Sequence, residues 1–202
     1  MRRILSILLI FSALAPFAKA RDIKFAYGLE WGLAACLYTF EANSFFTEEQ
    51  FPVRTTWQGM TYHNNGHIWV VAGIDLKRKV NLSAYVGYQG IGPGARAYPV
   101  SLRVSYYFNK TDKTGFFTSL AGGLLLDEKF ALKTGYTANI AGGYRIMLGK
   151  RLSLDFKAGL QLCRSHPREF IDRYTSTAVP AERVISSTAN RGSVFAGIAL
   201  NL

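Results

Sequence analysis

The chain has 202 residues, 49% hydrophobic and 14% aromatic, with 24 Lys and Arg against 13 Asp and Glu, a formal charge of +11. That length suits one domain, and basic residues scattered along the chain, without a stripe or block, exclude a nucleic-acid footprint. Beyond the first twenty residues no uninterrupted apolar run approaches about 18 residues, so no helical membrane span is expected.

The opening stretch MRRILSILLIFSALAPFAKA reads as an export signal. Arg2 and Arg3 supply a positive start, Ile4 to Leu14 an apolar segment of secretory length, and Ala18-Lys19-Ala20 the small residues of a cleavage site. Residues 1–20 are therefore expected to be removed and 21–202 to form the folded domain. Loss of Arg2, Arg3 and Lys19 leaves 21 basic and 13 acidic residues, lowering the charge from +11 to +8.

From there the chain alternates apolar and polar residues in eight segments: 24–38, 67–77, 80–89, 98–109, 115–126, 135–148, 152–163 and 191–202. A period of two is a strand signal. The first segment sets Phe25, Tyr27, Leu29, Trp31, Leu33, Ala35 and Leu37 against Ala26, Gly28, Glu30, Gly32, Ala34, Cys36 and Tyr38. The second is mixed, because Trp69 and Val71 fall on its polar side. The third, fourth, sixth and seventh alternate cleanly, as in YPVSLRVSYYFN over 98–109. The fifth, FFTSLAGGLLL, does not resolve its parity.

The segments run to about 10–15 residues, longer than the five or six usual in soluble sheets and enough for the nine to eleven of a membrane-crossing strand. Their connections alternate too. Residues 77–79, 109–114 and 149–151 are short, 90–97 and 127–134 intermediate, and 39–66 and 164–190 long. Short turns at one end and longer loops at the other belong to outer-membrane barrels. The polar faces are mostly Gly, Ala, Ser, Cys and Tyr, a poor soluble surface but a suitable filling for a narrow eight-stranded barrel. The prediction is an all-β, eight-stranded antiparallel up-and-down transmembrane barrel, apolar side outward and interior filled. A soluble lipocalin-like barrel is the rival, with the apolar faces inward.

Six charged residues then face the lumen: Glu30, Asp75 and Asp155 against Arg103, Arg145 and Lys157. Buried charges need partners to offset desolvation, so a mutually neutralising plug is expected, with a gated ion path as the alternative. Cys36 and Cys163 share a side and an end. Export permits a disulfide between them, but an intervening strand normally keeps Cα atoms beyond the roughly 7 Å a bridge requires, and the pairing stays open. With His63, His67 and His166 they form no metal-type spacing, and no metal or cofactor is expected.

The final strand, SVFAGIALNL, ends in Gly197-x-x-Leu200-x-Leu202, which resembles the C-terminal signal by which outer-membrane barrels are recognised for insertion. With the export signal, residues 21–202 as a whole resemble the small eight-stranded OmpA/OmpX-like barrels. The resemblance implies a bacterial outer-membrane address after Sec-type export, contact with outer-membrane lipids, lipopolysaccharide and the barrel-insertion machinery, and a monomer. A structural or surface-interaction role follows, with 39–66 and 164–190 as outward loops.

A lipid-modifying deacylase or acyltransferase and a narrow channel are the other readings. Lipid A 3-O-deacylases, also eight-stranded barrels, carry a His-x-Ser pair with a carboxylate partner. In TYHNNGHIW the residue two after His63 is Asn65, so the nucleophile is missing and no catalytic residue is assigned. Asn64-Asn65-Gly66 reads instead as a turn, with His63 and His67 at the rim. In the last long loop Arg164, Arg168, Arg173 and Arg183 suit phosphate recognition, and lipopolysaccharide phosphates are their expected contact.

Overall fold

The computed structural model describes residues 24–76, 78–92, 95–126, 135–172 and 174–202. The expected export signal, the 127–134 connection and Arg173 lie outside the described residues. Seven long strands come first: β1 (Lys24–Phe46), β2 (Pro52–Leu76), β3 (Val80–Gly92), β4 (Ala95–Tyr107), β5 (Gly115–Leu126), β6 (Gly135–Met147) and β7 (Ser153–Ser165). Two-residue strands β8 (Phe170–Ile171) and β9 (Ala178–Val179) and a 3-10 turn over Ala181–Arg183 lead into β10 (Val184–Asn201). The eight long strands close into an antiparallel barrel in the order β1-β10-β7-β6-β5-β4-β3-β2. Tyr27 and Leu202 exchange backbone hydrogen bonds at the seam, Leu202 N donating over 2.7 Å and Tyr27 N over 3.2 Å.

Alternation places the apolar residues outside. Phe25 is 71% exposed and Leu102 64%, while Glu30 is fully buried and Trp69 is 1% exposed. The mixed second segment resolves here: His67, Trp69 and Val71 point into the lumen, and Ile68 and Val70 point out. In β5, Phe117, Ser119 and Ala121 face inward while Phe116, Thr118 and Leu120 face outward. Both strands carry large rings inside, which hides their parity from a hydropathy reading.

Four expectations are corrected. Residues 39–66 are not a loop, because β1 and β2 continue through them and turn only at 47–51. Thr55, Thr56, Trp57, Thr61 and Tyr62 are β-branched or aromatic and suit a strand, but the stretch lacks an apolar face and so escapes a search for one. Asn64-Asn65-Gly66 is accordingly no turn; these residues pair with Ala35, Ala34 and Leu33. Tyr38 faces outward, since a bulge between Cys36 and Tyr38 adds a residue and reverses the parity beyond it. The 164–190 loop is shorter than expected, with β7 reaching Ser165 and β10 starting at Val184.

The outcome is a barrel with one raised wall. β3 pairs with β2 only from His67 to Leu76, and β7 pairs with β10 only from Ala189 onward. Above those levels β10, β1 and β2 continue as a three-stranded sheet. Its outer side carries Arg54, Thr56, Gln58 and Asn64 together with Met60 and Tyr62, and the uniformly apolar exterior gives way to a mixed one there. The 166–183 connection folds against this wall: Phe170 meets Phe45 edge-on at 5.4 Å between centroids, and Tyr174 Oη donates to Thr56 O over 2.9 Å.

Candidate functional site

The interior is organised in layers. At mid-height, Glu30 on β1 accepts two cations: Arg103 Nη2 of β4 lies 2.9 Å from its Oε2, and Lys157 Nζ of β7 is in contact with its Oε1. His67 Nε2 is 3.6 Å from the same Oε1. The cluster rests on a stack of rings. His67 lies over Trp69 at 4.1 Å and Trp69 over Tyr85 at 4.5 Å, each pair tilted by 23°. The Arg103 guanidinium sits 4.7 Å from the Tyr85 ring centroid, and Lys157 Nζ sits 5.5 Å from that of Trp69, a cation–π arrangement that strengthens in a desolvated setting.

Glycines face two of these rings across the ladders. Trp69 is directly opposite Gly87 on β3, where a Cβ would come within 2.1 Å of Ile68 O and 2.8 Å of Trp69 Cα, so glycine there lets the two backbones approach. His67 is opposite Gly32 on β1, where a Cβ would come within 2.7 Å of His67 Cε1.

Nearer the short turns, Arg145 and Asp155 face each other on β6 and β7 and form a two-pronged ion pair, with both N···O distances 2.7 Å. Arg145 Nη1 also donates to Thr111 O over 2.6 Å, so the pair fastens the 108–114 turn from inside. Its guanidinium covers Tyr107 at 4.3 Å. Asp75 joins neither cluster; it accepts a hydrogen bond from Asn81 Nδ2 at 2.8 Å. A cavity of about 30 Å³ separates the two clusters.

Above the Glu30 layer, Gln161 Nε2 donates to Gln89 Oε1 over 3.3 Å and Gln89 Nε2 approaches Cys163 Sγ at 3.6 Å. Cys163 and Cys36 are buried free thiols.

Five of the six expected lumen charges are thus brought into two clusters. His67 was expected at the rim and lies instead in the Glu30 cluster. Its parity with Trp69 is the sequence signal that places it inside. Gly197 also faces inward beneath His67, while Leu200 and Leu202 face out. The loop arginines are not gathered. Arg164 is exposed on β7, Arg168 is exposed in the connection, and Arg183 is 3.6 Å from Glu48. His63 lies in the raised part of β2, opposite Cys36. Among the described residues no group of three or more His, Cys, Asp or Glu is placed to hold a metal ion.

No protein-family model and no curated protein matches the chain. Among solved structures it is similar to Neisserial surface protein A (NspA), at 10% identity and a TM-score of 0.48, over 89% of this chain and 98% of that one. It is also similar to the Salmonella SPI-1 type III secretion injectisome secretin InvG in the open gate state, at 9% identity and a TM-score of 0.21, over 96% of this chain and 64% of that one.

Proposed function

We propose that the protein is a bacterial outer-membrane barrel that engages a partner protein through the raised edge of β2. The membrane setting is supported by the exterior. Leu33, Leu102, Leu120, Ile140, Leu160 and Leu162 are each more than half exposed, which is costly in water and favourable in lipid. Tyr106, Phe108, Phe116 and Tyr144 collect toward the short turns, where an aromatic girdle would meet the interface.

The observation that carries the interaction reading is the free side of β2. Among the described residues, 52–66 pair with β1 on one side and with no strand on the other. Pro52 and Arg54 stand only at the tip of this edge, and from Thr55 to Gly66 there is no Pro, Lys, Arg, Asp or Glu, the residues that usually blunt such an edge. An unpaired row of backbone N–H and C=O groups recognises an extended segment by strand addition. The partner is therefore a protein segment able to lie as a strand.

The test is selection of linear peptides from a displayed random library on the detergent-folded barrel, followed by amide hydrogen exchange with a selected peptide bound. Slowed exchange within 53–66, and loss of binding in the Gln58→Lys/Met60→Lys double variant, is the expected result. Protection elsewhere, or binding unaffected by those lysines, overturns the edge as the site.

A further inference from the structure

The two interior clusters do not balance in charge. Arg103, Arg145 and Lys157 meet Glu30 and Asp155, three cations against two carboxylates even before His67 is counted. The remaining lumen carboxylate, Asp75, stands half-buried at the lip, opposite the exposed Lys24 across the β1–β2 ladder. Within a wall surrounded by lipid, a surplus buried charge carries a large desolvation cost unless something compensates it.

The cavity of about 30 Å³ lies between the clusters, and all three cations line it. A buried water needs about 10–15 Å³ of such space, so the cavity has room for about two waters, or for one ion somewhat larger than a water. The one carboxylate on its wall, Asp155, has both oxygens engaged by Arg145.

The wall is otherwise rich in donors. Ser83, Ser105 and Ser119 border the cavity as buried hydroxyls. Arg103 Nε and Asn201 Nδ2 are buried N–H donors with no hydrogen-bond partner, and both side chains line the same space. The Arg103 side chain is only 9% exposed. Donors buried without acceptors are costly. Surplus positive charge, orphaned donors and a void of one-ion size therefore coincide, and a small monovalent anion answers all three. Sulfate or phosphate exceeds the space and overcompensates the charge.

We infer that this cavity binds a single halide ion, chloride in physiological salt, held by Arg103, Arg145, Lys157 and the Asn201 amide. The inference rests on the lipid-facing wall proposed above and is independent of the β2 edge. Half-buried Ala26 and Asn201 border the cavity near the short-turn end and give the ion its route in. Once bound, it ties β4, β6 and β7 to β10 beside the seam.

The experiment first checks the detergent-folded barrel for resistance to SDS before heating; a chain without a resistant form fails the membrane reading itself, before any halide is tested. Crystals of the folded barrel grown in sodium bromide are then read by anomalous scattering. A bromide peak between Arg103, Arg145, Lys157 and Asn201 is expected. Peaks at exposed lysines alone, an adventitious ion only, overturn the inference, and so does a cavity that holds water with no anomalous signal. In solution, chloride replaces gluconate at constant ionic strength while urea unfolding is followed. An ion bound only by the folded barrel raises the folding equilibrium constant about tenfold for each tenfold rise in free chloride above its dissociation constant. Folding indifferent to that exchange overturns the inference. Ser119→Asp puts a carboxylate in the cavity, and both the bromide peak and the chloride dependence should disappear. Their persistence contradicts the site, and Ser105→Asp makes the same test should Ser119→Asp not fold.

Discussion

Arg103 Nη2 lies 2.9 Å from Glu30 Oε2, an ion pair that crosses the lumen between strands three steps apart around the ring. Lys157 reaches the same carboxylate from β7. A single fully buried carboxylate therefore ties together three parts of the wall and compensates two cations.

Glu30→Gln leaves Arg103 and Lys157 buried without their counter-charge. Breaking one partner of such a cluster costs about 3–5 kcal/mol. Urea unfolding of the vesicle-folded barrel should show that loss, and a second substitution, Lys157→Met, should recover part of it by removing one stranded cation. A loss within the about 1 kcal/mol typical of exposed pairs would mean that water reaches the cluster.

Asp155→Asn removes the partner that orients Arg145, and Arg145 holds the Thr111 carbonyl. Amide hydrogen exchange should accelerate over 108–114 while the β6–β7 ladder stays protected. Unchanged exchange in that turn would show that the ion pair does not fasten it.

Gly87→Ala and Gly142→Ala should behave oppositely. A Cβ at Gly87 meets Ile68 O at 2.1 Å and Trp69 Cα at 2.8 Å, whereas at Gly142 nothing lies within 4 Å. The first should cost about 1–3 kcal/mol by overpacking and alter the Trp69 fluorescence. The second, on the outer wall, should stay within about 0.5 kcal/mol of wild type.

Cys36 and Cys163 are free and buried, 1% and 6% exposed. Maleimide should label neither in the folded barrel and both after boiling in SDS. Rapid labelling without heat would contradict the closed interior.

Most of the barrel was legible because its exterior below the raised wall is largely apolar. In β4, Val100, Leu102 and Val104 alternate with Ser101, Arg103 and Ser105, and only one facing is tolerable in lipid. The lumen pairs Glu30 with Arg103 and Arg145 with Asp155 were also foreseeable, from shared depth and from opposite charge on adjacent strands. What escaped has local causes. The raised wall at 52–66 mixes polar and apolar residues on both sides, Met60 and Tyr62 on one and Val53 and Trp57 on the other, so periodicity in hydropathy vanishes although β-branched and aromatic residues persist. The bulge at Cys36–Tyr38 reverses parity with no residue that marks it. The His67 ring fits inside where Gly32 faces it, and Trp69 stands opposite Gly87, pairings that depend on register.

The most direct test of the account is electrophoretic mobility of the membrane-fractionated protein with and without boiling in SDS. A lipid-facing closed barrel predicts that the protein sediments with the outer membrane, migrates as a compact band when unheated, and shifts on boiling. Recovery in the periplasmic supernatant with no heat-dependent shift would contradict it, because the apolar wall would then have no lipid to face.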